Sequence, residues 1–263
     1  EFIGSTTGTG FVYRDIKRNK TTDFKFLVRA VGKYGSSKPI NESMSNVVIV
    51  KAGAGPIDKD GEPGEKTKVE KSGETANIII GRDAFDGRNE FTIDLTRGEL
   101  SGSKEVVIRI PSRVVANEKN KTINIIGRDY NLSFTPNVFE SSKILANKEN
   151  NNSGVSFKVL PVKENLELVN NAGNTVIATQ YLLDGKVFVG ASSDNIENLK
   201  TNMDLVLDYD SNMAISRRLQ NISLVRYDGY NRNWENAYGN MGYGSINAKV
   251  NKLGTYTIIG SRR

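Results

Sequence analysis

Short runs in which apolar and polar side chains alternate, each closed by Gly, Asn or Asp, recur along most of this chain. A period of two places successive side chains on opposite faces of an extended strand, and the three-to-four-residue apolar spacing of a helix is nearly absent. The pattern predicts an all-β protein. Phe24, Phe26, Val28 and Ala30 fall on one face of the first run, and residues 47–50 form another short strand. Further strands are predicted at residues 76–80, 91–95, 106–110, 123–126, 132–134 and 155–160. Four more follow at residues 203–209, 222–227, 246–250 and 256–259. Residues 111–117 suit one turn of helix, because Pro111 fits a first helical position, and the Asn-rich residues 147–153 read as a loop. A hairpin is expected where residues 176–183 turn at Asp184-Gly185 into residues 186–189, since Asp-Gly readily takes the positive φ angles of a two-residue turn.

Residues 51–74 differ in character. Lys51-Ala52-Gly53-Ala54-Gly55-Pro56, then Asp58-Lys59-Asp60-Gly61-Glu62-Pro63-Gly64, bury too little apolar surface to offset their ordering entropy and predict a flexible linker. With 263 residues there is room for more than one compact unit. The expected organisation is a first unit at 1–50, the linker at 51–74, and two packed β-sandwiches at 75–162 and 163–263.

Composition narrows the chemistry. The chain has no Cys, which removes disulfides, thiolate metal sites and cysteine nucleophiles, and no His, which removes the usual general base and the commonest metal ligand. Zinc sites and Ser-His-Asp triads are thereby excluded, and no catalytic residue is assigned. The net charge of +6 comes from Lys and Arg spread along the chain rather than clustered, so no nucleic-acid partner is expected. No run approaches the roughly 18 apolar residues that span a bilayer, so no direct membrane insertion is expected. The opening Glu1-Phe2-Ile3-Gly4-Ser5 lacks the charged start and apolar core of a signal peptide. Either a leader has been removed or the chain begins inside a longer protein.

The run Phe24–Ser37, closed by Ser45-Asn46-Val47-Val48-Ile49-Val50, resembles the last two strands of a fibronectin type III domain, with residues 4–15 similar to the strand before them. The likeness covers about half of such a domain. Phe24 stands where the family usually has a tyrosine, so the hydrogen bond of that tyrosine is not implied here. From about residue 75 the chain resembles the paired β-sandwich region of large Firmicutes surface proteins that also carry S-layer homology anchors. That likeness rests on Val107-Ile108-Arg109-Ile110-Pro111, Leu132-Ser133-Phe134-Thr135-Pro136, Val155–Val162, Leu205–Tyr209, Leu224–Asp228 with Trp234, and Ala248–Thr257. It implies a structural role at the bacterial cell surface, with other domains or copies of the same protein as partners.

Three groups of side chains are candidates for chemistry. Asp204, Asp208 and Asp210 share one face of an alternating strand; paired carboxylates serve glycosidases, but the preferred reading is the solvated face of a half-buried strand. Asp58, Asp60 and Glu62 are spaced like the opening of a calcium loop, without its full ligand set. Tyr227, Tyr230, Trp234, Tyr238 and Tyr243 lie among Asn, Gly and Arg, a composition suited to stacking on sugar rings, so a carbohydrate-binding module for cell-wall or extracellular polysaccharide is the second functional expectation. For Trp234 packing is the competing role.

Overall fold

The computed structural model describes residues 23–26, 31–32, 35–36, 48–51, 66–162, 174–228 and 233–262. They belong to two compact units, Glu1–Pro63 and Gly64–Arg263. In the first, the strands are β1 (Asp23–Phe26), β2 (Val31–Gly32), β3 (Gly35–Ser36) and β4 (Val48–Lys51). β1 pairs antiparallel with β4, Phe24 opposite Val50 and Phe26 opposite Val48, and β2 pairs with β3. The expected calcium-loop residues Asp58, Asp60 and Glu62 lie outside the described residues.

The second unit is all-β, with two sheets in a sandwich. It begins with the hairpin of β5 (Lys68–Ser72) and β6 (Thr75–Ile79), followed by β7 (Glu90–Asp94), β8 (Glu105–Pro111), helix α1 (Ser112–Asn117), β9 (Thr122–Ile126) and β10 (Tyr130–Phe134). Helix α2 (Ser142–Ala146) leads into β11 (Ser153–Pro161). Then come β12 (Asn174–Val176), β13 (Tyr181–Val189), β14 (Ser192–Asn195), β15 (Asn198–Asp208), helix α3 (Ser211–Ser216), β16 (Ser223–Asp228) and β17 (Asn233–Asn236). The last strands are β18 (Asn240–Met241), β19 (Ser245–Lys252) and β20 (Gly254–Ser261).

One sheet has six strands in the order β18-β19-β15-β10-β9-β7. The other has ten, along the path β17-β16-β20-β13-β11-β8-β6-β5, with β12 beside β20 and β14 beside β13. Alternation explains which side chains meet between them. Ile108 and Ile110 of β8, Val155, Phe157 and Val159 of β11, and Tyr256 and Ile258 of β20 face Ile123, Ile125, Leu132, Met203, Leu205, Leu207 and Val250 of the smaller sheet. All are at most a few per cent exposed and belong to one continuous core. Phe134, Phe139 and Phe157 meet at its centre with ring centroids 5.3 to 5.6 Å apart.

Three details depart from expectation. The sequence divides residues 75–263 near residue 162, yet both sheets continue across that point. β11 pairs with β13 and β10 with β15, so strands from either half stand side by side over one shared core. Each half alone would leave the buried strands β10 and β11 with an unpaired edge. The expected hairpin at Asp184-Gly185 is instead the middle of β13, where Asp184 opposes Lys158 and Gly185 opposes Phe157. Gly185 serves close packing rather than a turn: a Cβ there would stand 2.6 Å from Leu253 Cδ1. The chain reverses five residues later, at Gly190 with φ +59°, so that Val189 opposes Ser192. Finally, residues 68–72, read as the end of a linker, form β5. Its side chains are exposed on both faces, which leaves no apolar alternation in the sequence, and its turn is set by Gly73 at φ +60°.

Replacing Phe157 with Ala removes the ring shared by both sheets and is expected to destabilise the unit by about 3–5 kcal/mol, read from the midpoint of denaturant unfolding. Thr92→Ala, on an exposed edge position of β7, should change stability by no more than about 0.5 kcal/mol.

Candidate functional site

Strands β16, β17 and β20 carry two different chemistries on their two faces. Tyr227 opposes Trp234 on one face, and Arg226 opposes Glu235 and Tyr256 on the other. The first pair lies on the side of the sheet away from the main core. Their rings are 5.3 Å apart and tilted by 53°, and Trp234 packs, as Val176 does, against Val225 and Ile259. Its indole nitrogen is buried and has no hydrogen-bond partner among the described residues. Both rings are half-buried against this part of the sheet. Tyr230 lies outside the described residues.

On the inner face, Arg226 occupies a position that alternation reserves for the core and is only 9% exposed. Its guanidinium donates to Leu253 O at 3.1 Å and to Glu235 Oε2 at 2.8 Å, and Lys252 Nζ stands 3.8 Å from the same carboxylate. Tyr256 donates to Lys252 O at 2.6 Å, and burial pushes its phenol well above the ordinary range. This row ends the apolar core and adjoins an open cleft of about 610 Å³ lined by strands of both sheets.

Two crossings of the chain frame that cleft. β19 passes into β20 with Leu253 alone between them, and Gly254 makes the corner at φ +144°, where a Cβ would meet Tyr227 O at 3.0 Å. β17 passes into β18 through Ala237, Tyr238 and Gly239. β18 covers only Ile246 and Asn247 of β19, so among the described strands the backbone edge of residues 248–252 is unpaired and lines the cleft.

Tyr238 sits at the mouth. It holds φ +43°, a left-handed conformation that costs a non-glycine residue roughly 1–2 kcal/mol, while its side chain is 79% exposed. The conformation is over-determined from both sides. Its N–H donates to Asn236 Oδ1 at 2.9 Å, Ala237 N–H continues the ladder to Leu224 O at 2.9 Å, and Gly239 lies so close to β19 that a Cβ would come within 2.5 Å of Ile246. Asn240, Asn247, Lys249 and Asn251 complete the lining. Tyr243 is fully exposed on the turn between β18 and β19 and does not line the cleft.

The three aspartates have separate duties. Asp204 pairs with Lys249 across the strands at 2.7 Å, and Asp210 caps α3 by accepting Met213 N–H at 2.9 Å. Asp208 is held near Asp129, whose carboxylate accepts hydrogen bonds from the Thr179 hydroxyl at 2.6 Å and from Tyr181 OH. Among the described residues no group of three or more acidic side chains is placed to hold a metal ion. Sequence reading singled out Tyr238 but missed Arg226 and the asparagines; an arginine at an inward position of an alternating strand was the available signal. Neither a protein-family model nor a curated protein sequence matches this chain.

Desolvation and the neighbouring Asp129 charge raise the Asp208 carboxyl above its ordinary value. The charged form is therefore disfavoured in the fold, and protonation relieves it as pH falls through the raised value. Asp208→Asn is expected to raise Tm at pH 7, with the difference shrinking towards pH 3. Asp94 has the opposite sign: hydrogen bonds from Thr96, then Arg97, hold its carboxyl at about 2, so its contribution is present above about pH 4 and is lost as pH falls towards that value. Asp94→Asn should thus lower Tm at pH 7 and have little effect below pH 2, in the same thermal scans.

Proposed function

We propose that this chain is a non-catalytic structural module of an exported bacterial cell-surface protein, assembling with copies or neighbouring domains of that protein through its sheet edges. The observation that carries this reading is the β5–β6 hairpin. β5 extends the ten-stranded sheet as an outer strand whose five side chains are all exposed, including Val69 at 41%. An edge strand with free N–H and C=O groups is a template for pairing with another chain. Lys68, Glu70 and Lys71 restrict that pairing to partners of matching charge. Both sheets are open, so β7 offers a second edge on the same side of the sandwich. A surface location is supported by the resemblance to Firmicutes surface proteins. No described helix is long and apolar enough to cross a membrane.

A second reading, a carbohydrate-binding module, is favoured by one observation: Tyr238 presents an exposed ring beside a polar cleft at a conformational cost.

The assembly reading is tested by light scattering with negative-stain microscopy across a concentration series. Ordered oligomers or filaments are expected, and Val69→Pro should abolish them, because in a two-residue hairpin the residue-69 N–H points away from β6. Circular dichroism and Tm of the variant should stay close to those of the parent chain. A monomer at all concentrations, or filaments unchanged in Val69→Pro, would remove β5 as the assembly edge.

A further inference from the structure

We propose that the cleft between residues 235–240 and the free edge of β19 binds an anionic glycan, with Tyr238 stacking on a sugar ring, Asn240, Asn247 and Asn251 bonding hydroxyls, and Lys249 and Lys252 meeting carboxylate or phosphate. The proposal rests on the carbohydrate-binding reading and adds the site and the ligand class.

Four observations converge. First, the cleft is concave and large enough for more than one ring, at about 610 Å³. Second, its lining is amide-rich. A side-chain amide both donates and accepts hydrogen bonds, as each sugar hydroxyl does, whereas a lysine only donates and a carboxylate only accepts. Asn247, Lys249 and Asn251 point outward from β19 at every second residue, so they form a row roughly 13 Å long. Third, the lining carries three cations, Arg226, Lys249 and Lys252, against one carboxylate, Glu235. Arg226 is spent on Leu253 O and Glu235, whereas Lys252 lies 3.8 Å from its carboxylate, beyond hydrogen-bond reach, and is available to an anion. Lys249 is paired with Asp204 at 2.7 Å, but that pair is exposed on both sides and worth little, so Lys249 would meet an anion by exchanging Asp204 for it.

The fourth observation is Tyr238 itself. An exposed tyrosine contributes little to the core, and at φ +43° it is a costlier choice than Asn or Gly. Strain held in place by neighbours on both sides points to use of the ring. The free edge of residues 248–252 would also accept a peptide strand through main-chain hydrogen bonds, but the exposed row beside it, Asn, Lys and Asn, matches hydroxyls and anions better than the side chains of a peptide.

The test is affinity electrophoresis and calorimetry of the full chain with three probes: oligogalacturonate for carboxylate, poly(glycerol phosphate) for phosphate, and neutral dextran. Retention by at least one anionic probe is expected, weakening as salt rises. Tyr238→Asn should weaken it at least 10-fold while raising Tm, since Asn suits the left-handed conformation, and the rise would show that the fold is intact. Lys249→Gln with Lys252→Gln should weaken it by a similar factor. Which probe is retained tells carboxylate from phosphate. Dextran bound as tightly and lost in Tyr238→Asn would overturn the anionic ligand and leave the carbohydrate reading standing. No retention of any probe would overturn both, as would binding only to an extended peptide. Anionic retention that is indifferent to Tyr238→Asn would also overturn the proposal, reducing it to diffuse surface charge.

Discussion

The nine-residue ladder between β11 and β13, Ser153–Pro161 against Val189–Tyr181, is the seam on which the second unit depends. It joins the two halves of the chain through the middle of the larger sheet, and the β10–β15 ladder does the same in the smaller one. Because side chains alternate along every strand, fixing these two registers fixes which residues of both halves face inward. One seam therefore produces one core.

The cleft follows from how that sandwich ends. Apolar rows fill the space between the sheets as far as Tyr256, after which the inward position on β16 is Arg226 and that on β17 is Glu235. A buried guanidinium is tolerated there because a carbonyl and a carboxylate satisfy it, and its partners double as one wall of the opening. The other walls are the two places where the chain changes sheet. Glycine permits both crossings, at Gly239 and Gly254, by letting backbone lie against backbone.

Strand alternation made most of this legible. The apolar parity of residues 106–110, 155–159 and 203–207 reads directly as the buried faces of β8, β11 and β15. What the sequence hid were features decided by distant neighbours. Asp184-Gly185 has the local chemistry of a turn, but packing of Leu253 against Gly185 and pairing with β11 outweigh it. β5 lacks alternation because neither of its faces is covered, so pattern alone could not separate it from a linker. At the site, the aromatic cluster between residues 227 and 243 was visible, but its division was not. Trp234 and Tyr227 go to the outer face and Tyr238 to the cleft mouth, a split set by strand parity and two crossings.

The single residue between β19 and β20 carries a consequence for how this fold varies in length. Leu253 leaves no slack, so one residue added or removed there would turn β20 over, exchanging Tyr256 and Ile258 for Thr257 and Ile259 at the core. Only even steps preserve its facing, and even these would slide Gly254 away from the corner it makes. The Tyr243-Gly244 turn at the opposite end of β19 bears no such parity, so growth and shrinkage of the chain around the cleft are confined to that end.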